Sequence, residues 1–401
     1  MQVTLEDIKK ASKTIQNDIY RTPLLPSKSL INERNNQVFL KLENMQKTGS
    51  FKVRGAYNKL YHLTDEEKQK GVIASSAGNH AQGVALAAST YGVEATIVMP
   101  VDAPTSKIIA TEGYGANVVL FGDSFDEAGE KARELQKETG ATFLHAFDDE
   151  HVVAGQGTIG LEIIEELEDV DAIVIPVGGG GLIGGIALAA KTLKPSIKII
   201  GVESENADSM TQSHIHGSAK RCVGGKTIAD GIAVNEPGQI TFDLVEKYVD
   251  EIVTVTEDEI MKAIFKLVEK EKLVVEGGGA VTTAAIMADK IDLKDSKIVA
   301  LVSGGNIDMN LVKNIIDSNL IDKGHLAEIK VSIPNKPGHL KTLLKVIANT
   351  KANISTISQT NIKPHISLGD VEVTMGLETK GKDHINEIYD VLEKEGYEVI
   401  K

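Results

Sequence analysis

Between residues 71 and 302 this chain keeps repeating one theme, a short β-branched run followed by a stretch with apolar residues at helical spacing. The runs Gly71-Val72-Ile73-Ala74, Ala95-Thr96-Ile97-Val98-Met99, Asn117-Val118-Val119-Leu120 and Ala141-Thr142-Phe143-Leu144 alternate with helical patterns at His80 to Tyr91, Pro104 to Thr111 and Phe125 to Thr139. Strands joined through a helix can run parallel, because the helix carries the chain back along the sheet before the next strand begins. The alternation therefore predicts βαβ units in an α/β fold. A second series, Ala172 to Pro176, Lys198 to Val202, Glu251 to Val255 and Lys297 to Val302, predicts a second layer, the smaller one lying at about residues 46–149. In such sheets ligands bind beyond the carboxyl ends of the strands.

The 401 residues suffice for two or three domains with a large core. A net charge of −14 opposes nucleic-acid binding, which draws on Lys and Arg against phosphates, and points to small-molecule partners. No apolar run reaches the ~18 residues of a membrane span. The single cysteine, Cys222, fits a reducing compartment, so the cytoplasm is expected. Met1 to Ile19 reads as an amphipathic helix capped by Thr4, with Asp7 near the third position, and not as a signal peptide. Arg21-Thr22-Pro23-Leu24-Leu25-Pro26 is expected to be extended.

Past Asp322-Lys323-Gly324 the pattern changes. Strands are predicted at Leu326 to Ile333, Ile354 to Gln359, Asp370 to Leu377 and Tyr397 to Ile400, with helices from Pro337 to Asn349 and Asp383 to Glu395. The order β-α-β-β-α-β is the ferredoxin-like split arrangement.

Four motifs carry chemistry. Ser50-Phe51-Lys52-Val53-Arg54-Gly55-Ala56 places Lys52 at a helix start, where free N–H groups favour a neutral amine able to form a Schiff base. Ser75-Ser76-Ala77-Gly78-Asn79 precedes a helix, and serves either as its cap or as an anion site for a substrate carboxylate. Gly178-Gly179-Gly180-Gly181-Leu182 follows a strand and opens an Ala-rich helix, so its N–H groups can approach a phosphate. Ser303-Gly304-Gly305-Asn306 closes the last strand of the series. Gly179, Gly181 and Gly184 also satisfy the dinucleotide pattern, with Glu203 placed as a ribose-binding carboxylate, so a nicotinamide dehydrogenase is a rival. That rival leaves Lys52 and Ser303 unexplained.

In this order the four motifs resemble those of the pyridoxal-phosphate (PLP) enzymes of the tryptophan-synthase-β fold type, and within it the threonine dehydratases (threonine ammonia-lyases). The resemblance implies PLP fold type II, two parallel-sheet α/β subdomains over residues 1–320. It implies that Lys52 takes the cofactor aldehyde, Gly178, Gly179, Gly180 and Gly181 its phosphate, Asn79 its ring hydroxyl and Ser303 its pyridine nitrogen, with Phe51 and Leu182 also against the cofactor. A serine there donates to a neutral nitrogen, which makes a weaker electron sink than an aspartate partner would and favours elimination over transamination. Ser75, Ser76, Ala77, Gly78 and Asn79 would bind substrate. Related serine racemases carry a serine at the place of Ala77 as a second acid/base, so a serine dehydratase or racemase is the less favoured alternative. His80 reads as a packed core histidine.

The expected reaction is β-elimination of L-threonine, or also L-serine, with Lys52 as α-proton base and the cofactor phosphate protonating the leaving hydroxyl. Glu203, Ala207 and Ser209 line up with a cation site of relatives, but one carboxylate predicts a weak site at best. Asn335-Lys336-Pro337-Gly338-His339-Leu340 gives residues 326–401 the look of an ACT regulatory domain. An amino-acid effector such as isoleucine or valine, and a homodimer or homotetramer, follow as expectations. A ferredoxin-like module without ligand, and a sensor with a decayed α/β body, are the contrasting readings.

Overall fold

In the computed structural model, which describes residues 3–30, 34–361 and 369–400, strands Asn117–Leu120, Ala95–Met99, Val72–Ser75 and Thr142–Phe143 lie side by side in that order, all parallel. The run at residues 141–144 adds only two residues to this ladder. Leu144 already joins the apolar cluster of Val72 and Ala74 as the chain leaves toward the larger sheet. That larger sheet has the order Leu24–Pro26, Gln37–Leu42, Lys297–Val302, Ala172–Pro176, Lys198–Ser204 and Glu251–Val255. Only the edge strand Leu24–Pro26 is antiparallel, and an edge is where Pro26 does least harm to a ladder.

The inner strands are buried on both faces, which is why they read as continuous Ile and Val runs. Helices Glu150–Glu166 and Gly181–Leu193 cross the large layer with their backbones close together. A β-carbon at Gly157 would lie 2.9 Å from the Gly185 carbonyl, so the two glycines set the spacing. The first helix is shorter than predicted, Leu5–Ile15, with the Thr4 and Asp7 capping box in place and Ile8, Ala11 and Ile15 facing inward. Met1 and Gln2, of the predicted stretch, lie outside the described residues.

A buried charge network, absent from the sequence reading, holds the Lys52 helix (Lys52–Tyr61) in place. Arg54, fully buried, donates to Glu43 at 2.7 and 2.8 Å and to Glu162 at 2.6 and 3.1 Å. Lys41 reaches Glu162 at 2.8 Å and Glu166 at 3.2 Å. The carboxylates keep Arg54 firmly protonated against burial, and Arg54 and Lys41 draw Glu162 below the usual carboxylate range.

By contacts the chain divides into Met1–Ile307 and Asp308–Lys401. Helix Met309–Asp322 thus falls with the second unit, although the sequence reading assigns it to residues 1–320. In that unit an antiparallel sheet has the order Asn353–Thr360, Asp370–Glu378, Leu326–Pro334, Glu398–Ile400. Helices His339–Asn349 and Lys382–Lys394 bury Leu343, Ile347, Ile388 and Leu392 against Ile329, Val331, Val373 and Met375. The β-α-β-β-α-β order is ferredoxin-like.

Candidate active site

Strand Gln37–Leu42 ends in a 3-10 turn at Glu43–Met45, and the chain then meets the end of strand Lys297–Val302. Ser50 bridges Gly304, Phe51 N donates to the Ser303 carbonyl at 3.1 Å and Gly305 N to the Gly49 carbonyl at 2.9 Å. Two motifs some 250 residues apart in sequence are stitched together this way. Lys52 opens its helix, and its Nζ donates to the Ala146 carbonyl at 2.9 Å and stands 5.2 Å from the Phe51 ring. Withdrawal of the amine from water lowers its pKa to about 8, with Glu276 pulling the other way. The lowering expected from the helix start is thus traced here chiefly to burial.

Facing Lys52 is a slot whose walls include Phe51, Asn79, Gly178, Gly179, Gly181, Leu182 and Ser303. The structure thereby brings together eight of the nine residues expected to hold the cofactor. The ninth, Gly180, is the turn itself: at φ +90° it caps helix Gly181–Leu193, a conformation costly for any other residue. Thr241 Oγ1 pins the turn by donating to the Gly179 carbonyl at 2.6 Å. The glycines have a second reason beyond phosphate approach. A β-carbon at Gly179 would run into the Phe147 ring, and one at Gly181 would lie 2.9 Å from the Phe147 carbonyl.

On its other side Lys52 lines a cavity of about 520 Å³ together with Ser75, Ser76, Ala77, Gly78 and Asn79. The helix cap does not account for these serines. Gly78 is the N-cap of helix Asn79–Tyr91 with no side-chain cap bond, and Ser76 Oγ accepts from Gly78 N at 3.2 Å. Ser75 lines the cavity, and its Oγ is buried without a hydrogen-bond partner among the described residues. His80 is buried and donates Nε2–H to the Leu144 carbonyl at 2.9 Å, while burial and Lys52 drive its pKa to about 3. It is a neutral packed histidine. At the cavity rim Lys107 pairs with Asp230 at 2.8 Å, and Arg221 pairs with Asp126.

Ser303 is buried at the slot, its Oγ only 3.4 Å from the Gly278 carbonyl, a contact weak enough to be exchanged for a ring nitrogen. Sequence reasoning missed Phe147 and Glu276, which both line the slot and the cavity. Glu276 stands before Gly277-Gly278-Gly279 at the start of a helix, a signal comparable to the first glycine run. Phe147 has no such mark.

Glu203 is the next-to-last residue of strand Lys198–Ser204, and its carboxylate accepts from Met210 N and Thr211 N at 2.9 Å each and from Thr211 Oγ1 at 2.6 Å. Burial raises its pKa to about 7. Ser209 Oγ donates to the Val234 carbonyl at 2.6 Å, and Ala207 N to the Ser204 carbonyl at 2.9 Å. The carboxylate is therefore committed to a helix start, which removes the ribose ligand that a dinucleotide reading requires. No group of three or more His, Cys, Asp or Glu placed to hold a metal occurs among the described residues.

An amine of lowered basicity, a glycine turn at a helix N-terminus, and amide and hydroxyl side chains along one slot together fit a phosphorylated aldehyde with a heteroaromatic ring. Comparison with known proteins agrees. The model of the family "Pyridoxal-phosphate dependent enzyme" matches residues 15–304. An L-threonine ammonia-lyase of Thermotoga maritima is 50% identical over 397 residues, 99% of each chain. Among solved structures, threonine deaminase isoform 2 from Solanum lycopersicum is 41% identical with a TM-score of 0.74, covering 78% of this chain and 91% of that one. A maize serine racemase is 36% identical with a TM-score of 0.75, covering 81% and 100%.

Proposed function

We infer the reaction from one premise: the chain belongs to the pyridoxal-phosphate dependent enzyme family. It is a lyase that dehydrates and deaminates L-threonine to 2-oxobutanoate and ammonia, the activity named for the relative that matches it end to end. The observation that carries the reading is the position of Lys52 Nζ, shared between the glycine-walled slot and the cavity of Ser75 to Asn79. Pyridoxal phosphate, when bound, supplies the aldehyde that captures the substrate amine and the conjugated ring that draws electrons from Cα.

The chain's own residues do the rest. Phe51, Asn79, Gly178 to Leu182 and Ser303 would hold the cofactor, and the first N–H groups of helix Asn79–Tyr91 with Ser75 would hold the substrate carboxylate. Lys52, as a neutral amine, takes the α-proton; the Cβ–O bond breaks and the hydroxyl leaves as water with a proton that the cofactor phosphate would supply, and the nitrogen departs on an enamine that water hydrolyses to oxo acid and ammonia. His80, neutral and bonded to a carbonyl, is not a base for this step. Ala77 offers no proton, so elimination is favoured over racemisation despite the likeness to serine racemases. L-Serine, one methyl smaller, is a second substrate.

The same reading extends to regulation. Residues 326–401 act as an ACT domain that binds isoleucine or valine, supported by the ferredoxin-like order and by Gly338, whose φ of +96° makes the turn before helix His339–Asn349. The chain works as a homodimer or homotetramer in the cytoplasm; no helix among the described residues is long and apolar enough to cross a membrane. A cation at Glu203, Ala207 and Ser209 would have to compete with Met210 and Thr211 for the carboxylate, so it binds weakly. Borohydride reduction followed by peptide mass analysis tests the core of this: the cofactor should be found on Lys52, and Lys52→Ala should abolish turnover. Full activity in Lys52→Ala would end it.

A further inference from the structure

The Ser303-Gly304-Gly305-Asn306 motif and the unforeseen Glu276 belong to one device built around Asn79. Asn79 Nδ2 donates to Glu276 Oε1 at 2.7 Å, while its Oδ1 accepts from Asn306 Nδ2 at 2.8 Å. Asn306 Nδ2 is itself held by the Thr48 carbonyl at 2.7 Å. An amide has two donor hydrogens, and with its oxygen and one N–H both engaged it cannot flip. The second N–H of Asn79 is left for the slot that its side chain lines.

Gly304 exists for the same arrangement: a β-carbon there would collide with Glu276 Oε1 and come within 3.2 Å of Asn79 Nδ2. Glu276 N in turn donates to the Gly304 carbonyl at 3.1 Å, so backbone and side chain are locked together.

Resting on the assignment of this site to pyridoxal phosphate, we propose that Glu276 is a positioning residue that aims the Asn79 amide at the cofactor's ring oxygen and governs, by its own charge, how strongly that amide donates. An ionised Glu276 accepts strongly from one Asn79 N–H and puts negative charge near the ring oxygen; a protonated Glu276 still accepts that N–H, more weakly, and removes the charge. The charged groups facing Glu276 are Lys52 on its helix, Asp230 on the 3-10 turn Asp230–Ile232 and Lys107 on helix Thr105–Gly113. Burial and Asp230 raise its pKa to about 7, which puts the change of charge near neutral pH.

The experiment uses the full chain, stripped of cofactor and titrated with pyridoxal phosphate by protein fluorescence, alongside the absorbance spectrum of the loaded enzyme as a function of pH. Glu276→Ala should weaken cofactor binding about tenfold, the loss of one hydrogen bond to a charged group. In an Asn79→Ala background the same change should add less than about threefold, because the effect runs through that amide. Glu276→Gln keeps an acceptor and should bind within about threefold of wild type, but lose the spectral titration near neutral pH. Multiplying losses in the double variant, or an unchanged spectral titration in Glu276→Gln, would overturn the proposal. If the alanine variant does not fold, the glutamine variant decides alone. Failure of the wild type to take up pyridoxal phosphate at all would instead refute the underlying site.

Discussion

Lys52 illustrates how a side chain acquires its chemistry. A lysine amine normally holds its proton to pH 10 and above, and here removal from water brings that down to about 8. The neutral amine is the form that removes a proton from Cα, and its fraction grows as pH rises through the pKa. Turnover at saturating threonine should therefore climb with pH and level off above about 8, the value burial sets for Lys52. A stopped assay of 2-oxobutanoate across pH 6 to 10 checks it, and a rate that falls over that interval contradicts the base assignment. The lowered basicity was expected from a helix start, yet its main cause came from burial. The residue type and its place at the head of a helix were legible in sequence, whereas the enclosure depends on residues such as Ala146, 94 positions away.

At the scale of elements, the Lys52 helix is held from below by charge as well as by apolar packing. Val53, Tyr57 and Leu60 pack into the small layer, but Arg54 bridges Glu43, at the end of a strand of the large sheet, and Glu162, on helix Glu150–Glu166. Truncating one member of a buried ion cluster leaves the others charged and unpartnered, at a cost of about 3–5 kcal/mol. Arg54→Ala should lose stability in that range by denaturant titration, and should shed pyridoxal phosphate more readily than wild type; a loss under about 1 kcal/mol would mean the carboxylates find water or new partners. The contrast with the glycine turn is instructive. Gly178 to Gly181 announced a glycine turn at a helix start within four residues, because backbone geometry is a local matter. The requirement that Gly179 and Gly181 admit Phe147 comes from a segment some 30 residues earlier, and no local pattern encodes it.

For the whole molecule, the division at Ile307 sets where the chain can be cut. A protein ending there keeps every residue assigned to cofactor and substrate, and it should still dehydrate threonine while losing any response to isoleucine or valine. If the shortened enzyme retains that response, the effector binds within the first unit. Cutting near Ile321 instead would leave helix Met309–Asp322 without the unit it packs in. Read alone, the sequence determined the parallel βαβ layers, the ferredoxin-like tail, the capped first helix and the four motifs, since strand and helix periodicities, caps and glycine turns are each written in fewer than about twenty consecutive residues. Only the tertiary structure decided that Glu276 meets Asn79 across 197 positions, that Glu203 is spent on a helix start, and that Arg54 sits in a buried charge cluster. Those outcomes depend on which distant groups share a water-free space, and in such a space a charge or an amide must find a partner wherever the chain has brought one.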